Sequence, residues 1–139
     1  MKSMKTRLTC VLAIAVAGLA LCHKAKAQDQ SYDIFNPIAK YIRQGDAEKL
    51  SAWFADNLEV SIFSNSNDAS RNQARQIVKS FFDTYTPRSF DVTHTAGRSN
   101  MKYALGKLNA GGDEFEVTIF VSYKGNSYQI QQFKIVRAE

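Results

Sequence analysis

Residues 45–63, GDAEKLSAWFADNLEVSIF, join a helical part of the chain to a strand-forming part. Glycine ends many helices because it adopts the left-handed conformation without steric cost, so Gly45 marks a helix end. Asp46 follows as a typical N-cap and predicts a short second helix. That helix is predicted to carry three apolar residues, Leu50, Trp53 and Phe54. Residues 58–63 then alternate between apolar and polar types, which predicts a strand.

Helical signals lie on both sides of this junction. Before it, apolar residues recur at the spacing of one helix face, and they are Ile34, Phe35, Ile38, Tyr41 and Ile42. Pro37 is tolerated only in a first turn, so this helix is predicted to begin near Asn36. After the junction, residues 64–69 (SNSNDA) have turn chemistry, and Ser70 with Gln73 matches the capping box of a third helix.

The remainder of the chain predicts strands. The pair Thr86-Pro87 ends the third helix, and three or four strands follow it, separated by turn signals at residues 97–100, 110–113 and 124–126. The apolar residues change parity around Gln131-Gln132, which predicts a bulge or a bend. Helices that come early and strands that come late indicate an α+β fold. We therefore expect two or three N-terminal helices packed on a strongly bent antiparallel sheet.

The N-terminus has the three-part pattern of a secretory signal peptide. A basic start is followed by an apolar run of 14 residues at positions 8–21, and Ala25 and Ala27 stand where an A-x-A cleavage site would be. We therefore expect a signal peptide at residues 1–27 and a single mature domain at residues 28–139. This predicts an exported protein, periplasmic or secreted. The apolar run is shorter than the about 20 residues of a spanning helix, so no membrane span is expected after cleavage.

Two alternatives for this leader stay open. In the first, the apolar run is an anchor that is not cleaved. In the second, Cys22 carries a lipid anchor, because Leu19-Ala20-Leu21 before it resembles a bacterial lipobox. A lipobox prefers Gly, Ala or Ser at the position where Leu21 stands.

Charge and cysteine content exclude several classes of function once the leader is removed. The chain has 18 basic and 13 acidic residues, and five of the basic residues lie in the leader, which has no acidic residue. The mature part therefore has no net charge, and no nucleic-acid partner is expected. Both cysteines, Cys10 and Cys22, lie in the leader. With His94 as the one remaining histidine, neither a metal site nor a cofactor is predicted.

The opening stretch resembles a run that is common in the nuclear transport factor 2-like superfamily, which has a cone-shaped α+β fold. This run stands here at Gly45 to Leu58, with Asn57 in place of the second acidic residue. Within the superfamily, the chain resembles a family of small exported bacterial proteins, domain of unknown function 4783. The segments that carry this second resemblance are 42–54, Phe81-Phe82, Ser89-Phe90, His94-Thr95, 103–106 and 128–135.

The resemblance implies a fold and an exported location, and it implies no activity. The superfamily includes isomerases, dehydratases and polyketide cyclases, together with members that only bind or dimerise. The acidic base and the oxyanion-binding pair of ketosteroid isomerases have no matching motif in this sequence. No catalytic position is therefore carried over from the superfamily.

Two residues are candidates for acid/base chemistry. His94 shares strand parity with Phe90 and Val92, so it is predicted to face the interior, where a histidine can act as a general base near neutral pH. The alternative is a hydrogen-bonded histidine at the rim of a sheet. Asp56 precedes the first strand and is the second candidate, with a turn or cap as its alternative. Glu114-x-Glu116 is interpreted as part of a solvated strand face.

A second group of residues suits a ligand pocket. Aromatic side chains line clefts for small apolar ligands, and Trp53, Phe63 and Tyr103 are the candidates of this kind. Gln131 and Gln132 are polar candidates, because a buried amide needs a partner. The alternative is that the aromatic residues are ordinary core and that the amides serve a bulge.

These observations favour a non-catalytic module that binds a small apolar ligand or a partner protein, with a homodimer through the sheet as one form of the latter. The alternative is an enzyme of isomerase or lyase type that uses His94 or Asp56 in the pocket. A third interpretation is a purely structural envelope protein. A convergent set of polar groups would favour the enzyme, and the sequence shows only scattered single residues.

Overall fold

The computed structural model describes residues 33–139. The predicted signal peptide, its cleavage after Ala27 and the lipid anchor at Cys22 therefore lie outside the described residues. The elements in chain order are α1 (Phe35–Gln44), α2 (Ala47–Ser51), β1 (Phe54–Ile62), β2 (Asn65–Ser70), α3 (Arg71–Thr84), β3 (Pro87–Arg98), β4 (Met101–Ala110), β5 (Asp113–Lys124) and β6 (Ser127–Arg137). The predicted α+β class, with helices before a sheet, is confirmed.

The strands form one sheet of six strands in the order β2-β1-β6-β5-β4-β3. Neighbouring strands are antiparallel with one exception, because β1 pairs with β6 in the parallel direction. The first strand of the chain thus lies against the last one. This pairing places β2 and β3 at the two edges of the sheet.

The helix-to-strand junction follows its local signals up to Ser51. Gly45 has a left-handed φ of 66°, and its N–H donates to the Ile42 carbonyl at 3.0 Å. The Asp46 carboxylate accepts from the Lys49 N–H at 3.0 Å, as predicted for an N-cap. The prediction that α2 carries Trp53 and Phe54 is wrong, since the helix ends at Ser51.

Pairing with β6 explains why the second helix ends early. The Trp53 carbonyl accepts from the Ile130 N–H at 2.6 Å, and Phe54 stands opposite Ile130 in the sheet. Sheet pairing therefore starts at Trp53, which lies in the turn, and Phe54 is the first residue of β1. A contact with a strand about 76 positions away decides this boundary.

The prediction of a turn over residues 64–69 is also wrong. Only Phe63 and Ser64 form the turn, with Phe63 at a positive φ of 58°, and β2 begins at Asn65. The strand runs antiparallel to β1, with Ile62 opposite Asn65 and Leu58 opposite Ala69. Polar residues are acceptable in β2 because it is an edge strand, and Ala69 is its one buried residue.

The third helix has the predicted capping box. The Ser70 hydroxyl accepts from the Gln73 N–H at 3.2 Å, and the Gln73 side-chain oxygen accepts from the Ser70 N–H at 3.0 Å. We expect Ser70→Ala to lower the free energy of unfolding by about 1 kcal/mol, because it leaves the Gln73 N–H without its partner. Urea denaturation measures this loss. Ser80→Ala, at an exposed position of the same helix, is the control, and an equal loss in both variants would contradict the assignment.

The sheet has two faces with different surroundings. On β5 the buried residues alternate with accessible ones, and the buried ones are Phe115, Val117, Ile119 and Val121. We call their side the inner face. The three helices pack on it, since their buried residues form one core with the inner-face residues. The opposite side, which contains Thr118 and Phe120, is the outer face.

The register of the sheet shifts at four places, and two of these bulges decide which way candidate residues face. In β6, Phe120 stands opposite Gln132 and Val121 opposite Ile130, so Gln131 is an extra residue. This confirms the irregularity predicted around Gln131-Gln132. In β3, Val92 stands opposite Gly106 and His94 opposite Leu105, so Thr93 is an extra residue there. A single extra residue moves the residues that follow it to the other face of the sheet.

Candidate functional site: the outer face of the sheet

The prediction that His94 faces the interior is wrong. The Thr93 bulge moves it to the outer face, where it is exposed and stands opposite Leu105. The Thr93 hydroxyl donates to the Leu105 carbonyl at 3.2 Å, which fixes the bulge. The imidazole lies beside Tyr103, with 6.0 Å between the ring centroids. Strict alternation through Phe90 and Val92 therefore predicted the wrong face.

Asp56, the second acid/base candidate, lies on the surface near the β2 edge. Its carboxylate oxygen is 2.9 Å from Nη2 of Arg71, and its side chain is 86% exposed. Arg71 also donates from Nε to the Phe54 carbonyl at 3.1 Å, so it fastens the start of α3 to β1. Asp56 and His94 lie on strands separated by four strand spacings, which is roughly 19 Å. The structure does not bring the two candidates together.

Phe63 belongs to an aromatic cluster that is closed by an arginine of the same chain. Its ring centroid lies 6.0 Å from that of Phe115 and 6.1 Å from that of Tyr85. The Arg137 guanidinium lies over all three rings, at 5.2 Å from Phe63, 5.6 Å from Tyr85 and 5.4 Å from Phe115. This cation–π arrangement occupies the exposed side of the cluster.

Polar partners hold Arg137 in this place. Its Nη1 donates to the Asp113 carboxylate at 3.1 Å, and its Nη2 donates to the Tyr85 hydroxyl at 2.9 Å. The hydrogen bond to Asp113 raises the pKa of Arg137 above its usual value. The guanidinium therefore stays charged, and the ring of Phe63 is engaged by protein groups on several sides.

The other ligand candidates are divided between two places. Trp53 is half-buried in the turn before β1 and packs against the core. The bulged Gln131 has a buried side-chain nitrogen without a hydrogen-bond partner among the described residues. Gln132 donates from its amide to the Glu59 carboxylate at 2.9 Å on the outer face. Tyr103 also lies on the outer face, opposite Phe120.

Register assembles an apolar surface on the outer face of β3, β4 and β5. Leu105 stands opposite His94, Tyr103 opposite Ala96, and Phe120 opposite Tyr103. We call this surface the outer patch, and its members are Ala96, Met101, Tyr103, Leu105 and Phe120. Met101 is 45% exposed, and the other members are half-buried. None of them belongs to the buried core or to the residues that pack against it.

Charged residues of both signs border the outer patch. Lys107 stands opposite Asp91 on one side and opposite Glu116 on the other. Lys134 on β6 stands opposite Thr118 on β5. Glu114 and Glu116 are both exposed, as their interpretation as a solvated strand face requires. An apolar centre with a mixed charged rim is the usual composition of a protein contact surface.

Sequence reasoning missed Met101, Leu105 and Phe120 as functional candidates. On β5 the outer-face positions read Thr118, Phe120 and Ser122, so Phe120 is a single apolar residue between polar ones. An apolar residue at an otherwise polar face is the sequence signal that could have identified Phe120 as a candidate. Its neighbours on other strands are known only from the register, which places Tyr103 beside it.

Neither a membrane-spanning helix nor a cluster of metal ligands occurs within residues 33–139. No helix in this range is both long and apolar enough to cross a membrane. No three side chains of His, Cys, Asp or Glu in this range are grouped so that they hold a metal ion.

Comparison with known proteins identifies the family of the chain. The model of the family described as Domain of unknown function (DUF4783) matches residues 35–136. The chain belongs to the DUF4783 family. This membership agrees with the resemblance found in the sequence, and none of the curated proteins matches the chain significantly.

Solved structures of DUF4783 proteins have the same fold. One from Bacteroides uniformis is 22% identical with a TM-score of 0.74, and the match covers 77% of this chain and 99% of that one. One from Bacteroides ovatus is 21% identical with a TM-score of 0.73, covering 79% and 98% of the two chains. A Nostoc punctiforme domain of unknown function with a cystatin-like fold is 13% identical with a TM-score of 0.61, covering 76% and 73%. At these identities the similarity establishes the fold of this DUF4783 domain.

Proposed function

We propose that this DUF4783 domain is a non-catalytic protein-binding module that associates with a second copy of itself through the outer patch. The observation that carries the proposal is the outer patch itself, in which the exposed Met101 and four half-buried apolar residues share a sheet face that the helices of residues 33–139 leave uncovered. Contiguous apolar surface with a polar rim marks interaction sites on soluble proteins.

The charges around the patch suit a symmetric contact. A two-fold axis brings the same surface of both copies together, so each charge has to meet a partner of opposite sign. The rim of one copy carries both signs close together, because Lys107 lies between Asp91 and Glu116. The outer patch occupies the part of this face that β3, β4 and β5 form.

Catalysis has less support than binding. An isomerase or lyase needs an acid/base group, a stabilising donor and a substrate space that converge. Here His94 is exposed on the outer face, and Asp56 forms an ion pair with Arg71 roughly 19 Å away from it. The small apolar ligand also has less support, because Trp53 packs on the core and the Phe63 ring is engaged by Arg137.

We also propose export, with cleavage after Ala27 and a periplasmic or secreted product. The basic start, the apolar run at residues 8–21 and the A-x-A site support this. The mass of the protein recovered from the envelope of a bacterial host tests it. A mass that begins at Gln28 is expected. A mass that begins at a lipid-modified Cys22 would favour the anchored form.

Charge placed in the outer patch is expected to separate the two copies. We expect the exported protein to be a dimer by light scattering, and Leu105→Lys and Phe120→Lys to be monomers. In a two-fold contact each substitution buries two like charges, which weakens the dimer by about 100-fold or more. The folded state should survive, since both positions lie outside the core.

Asn109→Lys is the matched control for these variants. It adds the same charge to the strand that carries Leu105, at an exposed position outside the outer patch. We expect it to remain a dimer. A monomeric wild type, or a Phe120→Lys protein that dimerises as well as the control, would contradict the proposed contact surface.

A further inference from the structure

The β2 strand has an open edge with a defined set of free backbone groups. Its turn contains only Phe63 and Ser64, so Ile62 and Asn65 must be a hydrogen-bonded pair. Hydrogen-bonded and non-hydrogen-bonded pairs alternate in an antiparallel ladder. Ser66 and Asp68 therefore direct their N–H and C=O groups away from β1. No backbone or side-chain partner for these groups occurs within residues 33–139.

Helix α3 lies beside this edge and turns it into a groove. The groove has a volume of about 400 Å³, and its lining residues are Asn67, Asp68, Ala69, Gln73, Gln76, Ile77 and Ser80. Buried Ala69 and half-buried Ile77 supply its apolar surface. Side-chain amides and a hydroxyl supply the rest. An edge strand next to a helix offers backbone hydrogen bonds and side-chain pockets together, which is the geometry of strand addition.

A pair of acidic residues lies along the same edge. Asp68 stands opposite Glu59 in a non-hydrogen-bonded pair, where cross-strand side chains approach most closely. Like charges at such a position destabilise the sheet. The arginines of the neighbouring helix do not neutralise Asp68, since Arg71 is paired with Asp56 and Arg75 with Glu48. A cation supplied from outside would relieve this repulsion.

We propose that the β2 edge binds an extended segment of another protein in which basic and apolar residues alternate. The backbone of the segment pairs with Ser66 and Asp68. Its basic side chains lie on the outer face beside Asp68 and Glu59. Its apolar side chains point to the other face, toward Ile77 of the groove. The alternation follows from the two-residue period of a strand.

Two features single out this edge and this kind of occupant. The sequence of β2, NSNDAS, contains no basic residue, so two copies paired edge to edge would bring their acidic pairs together without a counter-charge. The other edge strand, β3, begins at Pro87 and is interrupted by the bulge at Thr93. Proline and bulges are the usual devices that protect an edge, and β2 has neither.

The test uses a synthetic heptapeptide in which Lys and Val alternate. Amide shifts of the isotope-labelled protein should change in β2 and along the groove face of α3. A peptide of the same composition, with all Lys before all Val, cannot place charged and apolar groups on opposite faces of a strand. We therefore expect its affinity to be lower by at least about tenfold. Equal binding of both peptides would overturn the proposal, as would shift changes centred on the outer patch.

Two variants separate strand addition from general electrostatic attraction. Ser66→Pro removes only an N–H that points to solvent, so the native ladder stays intact and peptide binding should be lost. Asp68→Lys should weaken the Lys-Val peptide about tenfold and give binding to the matching Glu-Val peptide. Both variants should unfold at the wild-type temperature or above.

Three outcomes would count against the segment as occupant. Absence of binding of the Lys-Val peptide to the wild type would overturn the proposal. Unchanged binding by Ser66→Pro would show that the backbone edge is not used. A dimer that Ser66→Pro converts to monomer would assign the edge to a second copy of the chain. The outer-patch variants report separately, because Phe120 is not in the groove.

Discussion

Replacing Phe115 with Ala is expected to lower the free energy of unfolding by about 3–5 kcal/mol. Phe115 is completely buried on the inner face. Its ring lies 5.2 Å from Phe81, 5.0 Å from Tyr85 and 6.0 Å from Phe63, measured between centroids. Removing it leaves a cavity among rings that come from the turn, α3 and the segment after α3, and these cannot all move to fill it. Urea denaturation at low protein concentration measures the loss.

Phe120→Ala is the matched control on the same strand. It removes the same side chain from the outer face, where Phe120 is half-buried and lies outside the core. We expect a loss of about 1 kcal/mol or less in the monomer, because less apolar surface returns to water. Its main effect should fall on association. Equal losses for the two variants would contradict the assignment of core to the inner face alone.

Gly106→Ala is expected to destabilise the protein by about 3 kcal/mol, although it adds only one methyl group. Gly106 lies on the inner face of β4 beneath the ring of Phe90. A Cβ at this position would lie 2.5 Å from Cε1 of Phe90 and 3.0 Å from the Asp91 carbonyl oxygen. Phe90 is 1% exposed, so its ring has no free space into which it can turn. Thermal and urea unfolding measure this loss.

A double-mutant cycle tests the cause of this loss. Phe90→Leu alone should be destabilising, because it removes buried surface. In the Gly106→Ala background the shorter side chain makes room for the new methyl group. The loss in free energy of unfolding of the double variant should therefore be smaller than the sum of the two single losses, by about 1 kcal/mol or more. Strict additivity would mean that the clash with Phe90 is not the cause.

Local signals predicted the helices well because helix ends depend on nearby residues. The left-handed Gly45, the Asp46 cap and the capping box at Ser70 each involve groups within four residues of one another. The β2 strand could not be predicted in this way. Its residues have the composition of a turn. They form a strand because they pair with β1, which precedes them across a two-residue turn. Tertiary pairing overrides local propensity at such a position.

The two bulges show where the candidate site was and was not predictable. Strong apolar residues on both sides of Gln131 reveal the change of parity in β6 from the sequence alone. In β3, Thr93 is followed by His94, Thr95 and Ala96, which carry no clear apolar signal. The extra residue there is defined only by pairing with Leu105 and Gly106. The outer patch has the same origin, since register across three strands brings its residues together.

Nuclear Overhauser contacts between two copies of the chain would locate the association surface. A mixed sample of carbon-13-labelled and unlabelled protein reports only contacts that cross from one copy to the other. The proposed dimer predicts such contacts from the Met101 methyl group, the Leu105 methyl groups and the Phe120 ring. Contacts that arise from the β2 edge or from the helices, or the absence of any contact at concentrations where the copies associate, would contradict it.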